Sequence, residues 1–257
     1  MWKAIRITVL LVILVVVAGR TLMDRIQTQS WKNTLWVGVF PLNGDGSPQA
    51  ERYIATLTPE DFAGIETFFT EEAGRYGVSL TQPIHVELYP EGKELPPQLA
   101  PNASIFAVAW WSLKLRWFAS QAQKVPGRTP PRIRLFVLYH DPSSLPVVPD
   151  SHGLQKGLMG VVHAFAVKNM AGSNNIVIAH ELMHTLGAKD EYDPGTGAPL
   201  IPAGLGDPKQ VPVYPQTTAE IMAGQRAISP TRFEMPTSLR DVVVGPATAA
   251  EIGWTRH

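Results

Sequence analysis

The sequence predicts an α+β domain: a mixed sheet backed by helices, with an active-site helix and an irregular C-terminal subdomain. Three observations lead there. From Leu35 to Tyr139 the patterning reads strand, helix, strand, helix, strand. An apolar segment and a helix carrying His180 and His184 follow. From Asp193 to Gln216 the chain is dense in proline and glycine. Interleaved strands and helices fit a sheet covered by helices, and a long irregular segment is acceptable in a compact domain only around a functional cleft.

The elements follow in chain order. Ile7 to Gly19 is nearly unbroken in aliphatic residues, preceded by Lys3 and Arg6 and followed by Arg20. Extended from Trp2 to Leu22 it reaches about twenty residues, enough to cross a bilayer if Arg6 snorkels to the interface. Residues 1–25 are therefore expected to be a membrane anchor or signal segment, and 26–257 a single domain outside the cytoplasm. If the chain is cleaved after Val16-Val17-Ala18 instead, the domain is secreted.

Asp24 to Asn33 reads as a polar connector. Leu35 to Phe40 reads as a first strand, ended by Pro41 and the turn-rich Asn43 to Gly46. Thr58 is a candidate N-cap, with Pro59 at the first helical position and Glu60 and Asp61 at the positive end of a helix reaching about Tyr76. A strand is expected over Ile84 to Tyr89, a helix over Ser104 to Gln121 and a strand over Ile133 to Tyr139. Trp110, Trp111, Trp117 and Phe118 of that helix are assigned to the core, with a membrane-facing or substrate-contacting patch as the alternative. Val161 to Val167 reads as an edge strand in which His163 could line a cleft. Pro246 begins a short helix through Ile252.

Composition removes several functions. Lysine plus arginine and aspartate plus glutamate both number 22, so the formal net charge is zero. No basic run interrupts the soluble part, which excludes nucleic acid as an expected partner. The absence of cysteine excludes disulfides, thiolate metal ligation and cysteine nucleophiles.

The chemistry lies in His180-Glu181-Leu182-Met183-His184-Thr185-Leu186-Gly187-Ala188-Lys189-Asp190. Residues four apart share a helix face, so His180 and His184 can aim two imidazoles at one ion. Glu181 lies beside them, where it can take a proton from a metal-activated water without becoming a ligand. Ala179, Leu182, Met183 and Leu186 form the stripe that buries the opposite face. Gly187 ends the helix in a left-handed conformation, and Asp190 can return as a third ligand, with Glu191 and Asp193 as competitors. Three protein ligands leave a position open for water or substrate, as a catalytic zinc site does. His85, His140, His152, His163 and His257 have no metal-like spacing to one another and read as surface or hydrogen-bonded histidines.

This motif resembles that of the metzincin zinc peptidases, His-Glu-x-x-His-x-x-Gly-x-x followed by His or Asp. With Asp190-Glu191-Tyr192 it is most similar to the snapalysin-like branch. The resemblance implies Zn2+ held by His180, His184 and Asp190, Glu181 as general base, and a methionine turn under the metal, for which Met222 in Ala219 to Gly224 is the candidate. Several metzincins carry a tyrosine two residues after that methionine, where this chain has Gly224. The implied activity is hydrolysis of peptide bonds in a polypeptide substrate. The alternatives are a membrane-tethered zinc hydrolase acting on other bonds, or a non-catalytic module that zinc stabilises.

Overall fold

The structure, a computed structural model, describes residues 26–98, 104–155 and 157–255, together with Arg6, Gly19 and residues 22–24. Apart from Arg6, Gly19 and Leu22, the N-terminal segment expected to engage a membrane lies outside the described residues, as does His257. Among the described residues no helix is long and apolar enough to cross a membrane.

The domain is mixed α+β, built on a five-stranded mixed sheet with strand order β2-β1-β3-β5-β4. The strands are β1 (Leu35–Asn43), β2 (Ile84–Leu88), β3 (Ile133–His140), β4 (His152–Leu154) and β5 (Met159–Phe165). All neighbours are parallel except β4, which pairs antiparallel with β5 through His152–Val161, Gly153–Gly160 and Leu154–Met159. Helices α1 (Pro48–Ile54) and α2 (Ala63–Arg75) join β1 to β2, α3 (Ile105–Ala122) joins β2 to β3, β4 lies between β3 and β5, and α4 (Ala171–Leu186) follows β5.

Alternation along the strands assigns each face. Val37, Val39, Leu135, Val137, Val162 and Ala164 pack with Ile176, Ala179, Leu182, Met183 and Leu186 of α4 in the larger core. Phe40, Leu42, Phe136, Leu138 and Met159 point the other way and pack under Leu115, Phe118 and Ala119 of α3. Past α4 the chain runs without regular structure to β6 (Ala219–Glu220), which pairs with β9 (Val242–Val243). Between them lies the hairpin β7 (Arg226–Ser229) and β8 (Arg232–Glu234), and α5 (Pro246–Glu251) ends the fold.

Several expectations change. Pro41 does not end β1, which continues to Asn43 along β3. Its missing N–H costs nothing because β2 has already ended on that side, where the Pro41 carbonyl accepts from Gly92 N. Helix α1 was not expected, although Ser47 caps it by accepting from Ala50 N, with Pro48 at its first position. The helix from Thr58 starts as a 3-10 turn over Pro59–Phe62, with Thr58 and Asp61 forming a capping box, before α2 takes over.

The strand bearing His163 is not an edge. β4 covers it, and His163 points to the α3 face of the sheet, away from α4. The tryptophans divide: Trp111 is partly buried and donates to the Pro97 carbonyl, whereas Trp110 and Trp117 face outward.

Candidate metal centre

Helix α4 is docked before it presents anything. Asn174 near its N-terminus accepts from Phe165 N and donates to Phe165 O, clamping the helix to the end of β5. Ala179, Leu182, Met183 and Leu186 are fully buried, which turns His180 and His184 to the opposite side. Their rings lie 4.7 Å apart and nearly perpendicular.

At its end α4 meets Gly187, with φ of 109°. This left-handed conformation suits glycine, and a side chain there would also collide with Gln155 and Gln29. The turn is then tied down. Gln29 donates to the Leu186 and Glu251 carbonyls, and the Glu251 carboxylate accepts from Lys189 N and pairs with Lys189 Nζ. Asp190 emerges next, with Oδ1 3.3 Å from His180 Nε2 and 3.1 Å from His184 Nε2. Glu191 N then donates to the Met222 carbonyl, joining the return to a second turn.

That second turn is braced by Glu220, a residue with no assigned role in the sequence reading. Its buried carboxylate accepts from Met222 N and Ala223 N on one oxygen and from Gly245 N and Thr248 Oγ1 on the other. Four donors lower its pKa, but burial raises it more, and the group stays above the ordinary carboxylate range. The turn so held presents the Ile221 carbonyl 2.9 Å from His180 Nδ1, with Met222 fully buried behind it. His184 Nδ1 finds the Ala188 carbonyl at 2.9 Å. A carbonyl can only accept, so both Nδ1 atoms are donors and both Nε2 atoms face Asp190.

Burial and the neighbouring charges act on the three side chains in different directions. Burial pulls His180 down, but its hydrogen bond to the Asp190 carboxylate, the charge of Glu181 and the Ile221 carbonyl outweigh it, and His180 sits above its ordinary value. Burial and the neighbouring His180 hold His184 below its own. Burial pushes Asp190 up, yet the two histidines win and keep it low.

The spacing of these atoms can be compared with that around a metal ion. Bonds of 2.0–2.1 Å to a tetrahedral zinc require donor atoms separated by roughly 3.3 Å, close to what Asp190 shows to both rings. Nδ1–H groups held by backbone carbonyls are the outer-shell partners that orient such ligands.

Glu181 completes the cluster: its carboxylate and the two imidazoles offer ligand atoms within 4.8 Å of one another. It is 4% exposed, and its Oε2 is buried without a hydrogen-bond partner. Burial raises its pKa to about 7, Asp190 adding to the rise while His180 and the Gly153 backbone oppose it. A carboxyl in that range can both take and give a proton near neutrality. Strand β4 makes the space. A Cβ on Gly153 would collide with the Glu181 carbonyl and His184 Cβ, so only glycine lets the edge strand lie against the helix here.

Of the competing third ligands, Asp193 turns its Oδ1 to Gly195 N, Thr196 N and Thr196 Oγ1. Among the described residues only Asp190 forms an ion pair with either histidine. Tyr192 supplies a phenol near the cluster. Burial, together with the charges of Asp190 and Glu181, raises its pKa. His140 and His163 form a separate pair on the far face of the sheet.

No known family profile matches the chain, and no curated protein is significantly similar to it.

Proposed function

We propose that the chain is a zinc-dependent endopeptidase of the metzincin kind, with zinc on His180, His184 and Asp190. The observation that carries this reading is the placement of Asp190 Oδ1 close to both Nε2 atoms while each Nδ1 is committed to a backbone carbonyl. Bound zinc supplies Lewis acidity to a water and to a substrate carbonyl. The buried Oε2 of Glu181 accepts the proton of the attacking water and delivers it to the departing amine as the C–N bond breaks.

The sheet edge favours a peptide. β4 is the last strand of its sheet and packs beside Glu181 and His184, so its outer backbone groups are available to an extended chain. The Met222 turn and the irregular segment from Asp193 to Gln216 form the opposite side of the metzincin-like reading. The apolar N-terminal run supports a domain tethered outside the cytoplasm.

Elemental analysis beside a casein-type cleavage assay tests this function. Glu181→Gln should retain zinc and lose about 10²–10⁴-fold in turnover. Undiminished cleavage by that variant removes Glu181 as the base. Zinc in both proteins with cleavage in neither, but turnover of a small amide or ester by the parent, moves the site to another hydrolase class.

A further inference from the structure

Helix α3 is apolar on two sides. Leu115, Phe118 and Ala119 face the sheet, while Phe106, Trp110, Leu113 and Trp117 stand outward at 84, 62, 59 and 65% exposure. Their spacing of four, three and four residues makes one continuous stripe. The helix contains Lys114 and Arg116 and no acidic residue, and the Lys114 ammonium lies 5.7 Å from the centre of the Trp110 ring. Outward tryptophan, phenylalanine and leucine beside lysine and arginine are the composition of a helix lying in a bilayer interface.

A second observation indicates which surface covers the stripe. The described residues 22–24 and 26–29 are helical, with Leu22, Met23 and Ile26 exposed. They continue the apolar sequence that precedes them. Asp24 in this segment is paired with Arg132 at 2.8 Å. Next to Arg132, Arg134 donates to Gln123 at the C-terminal end of α3 and lies in the field of Asp24, Arg116 and Arg132. Residues 22–24 thus lie near the C-terminal end of α3, where three arginines and one aspartate gather.

We propose that the outer face of α3 is a membrane-docking surface. It seats on an anionic lipid bilayer, with Trp110 and Trp117 at the headgroup level and the exposed basic residues of the helix, Lys114 and Arg116, on lipid phosphates. A second copy of the chain fits the stripe less well, because a two-fold contact would set Lys114 and Arg116 against their own counterparts. The inference is independent of the peptidase reading.

The absence of cysteine permits a direct test on the full chain. A nitroxide is attached at Leu113→Cys, or at Phe106→Cys should the first fail to fold, and the protein is reconstituted in phosphatidylcholine vesicles containing phosphatidylglycerol. The label should be reached by oxygen and shielded from an aqueous nickel chelate, with the order reversed at exposed Lys209→Cys in the same vesicles. A label at Leu113 as aqueous as that at Lys209 overturns the docking face. So does nitroxide–nitroxide broadening, which assigns the stripe to a second copy. A label that stays in lipid after phosphatidylglycerol is omitted overturns the role given to Lys114 and Arg116.

Discussion

Two close histidine pairs lie among the described residues, and they do opposite things. His180 and His184 sit one turn apart on a helix, and each gives its Nδ1–H to a backbone carbonyl, so both Nε2 atoms turn toward Asp190. His140 and His163 sit on neighbouring strands, stacked with ring centres 5.1 Å apart. There His140 Nε2 and His163 Nδ1 bond to each other at 2.8 Å. One ring donates and the other accepts, which uses the lone pair a metal would need. Proximity alone does not make a metal pair. What matters is whether the second nitrogens are held elsewhere and a carboxylate closes the set.

The sharpest way to break that contrast is to remove the carboxylate. Asp190→Ala should weaken zinc binding by more than about 100-fold, beyond the loss typical of an outer-shell partner, as measured by competition with a chromophoric chelator. Unchanged affinity would shift the third-ligand role to another group.

The anchoring of the second nitrogens is tested next. Glu220→Gln replaces an acceptor of four hydrogen bonds in the turn that presents the Ile221 carbonyl. Leaving buried donors unmatched should lower unfolding free energy by about 1–3 kcal/mol. Through Ile221 it should also weaken zinc about 10-fold. A stability loss with full affinity would separate the turn from the site.

The smallest effect belongs to the other pair. Burial, with the charges of His140 and His152, lowers the pKa of His163 from 6.5 to about 4. Between those values the unfolded chain binds a proton that the folded chain refuses. Stability therefore falls as pH falls across that window and stops responding to this group below it. His163→Asn should flatten the part of the slope due to this residue in denaturant titrations at several pH values. An identical slope in the variant would remove His163 as its source.

Local pattern made half of the centre legible. Four-residue spacing fixes which helix face two side chains share, and Gly187 marked the turn that brings Asp190 back. The other half is long-range. Ile221 contributes a carbonyl that any residue type would carry, across 41 positions, and Glu220 read as an unremarked acid. Strand β4 has only three residues, with glycine at its centre, too few to show alternation. In α3 both faces are apolar, so periodicity carried no information on which tryptophans turn inward. The short helix α1 did carry a local signal, Ser47 as cap followed by Pro48.

Zinc stoichiometry in three proteins tests the central distinction most directly: the parent, His184→Asn and His163→Asn, each loaded with excess zinc, desalted and analysed for metal. The account predicts a single zinc in the parent and in His163→Asn, and none in His184→Asn. No zinc in the parent, or zinc lost with His163 and kept without His184, would contradict it.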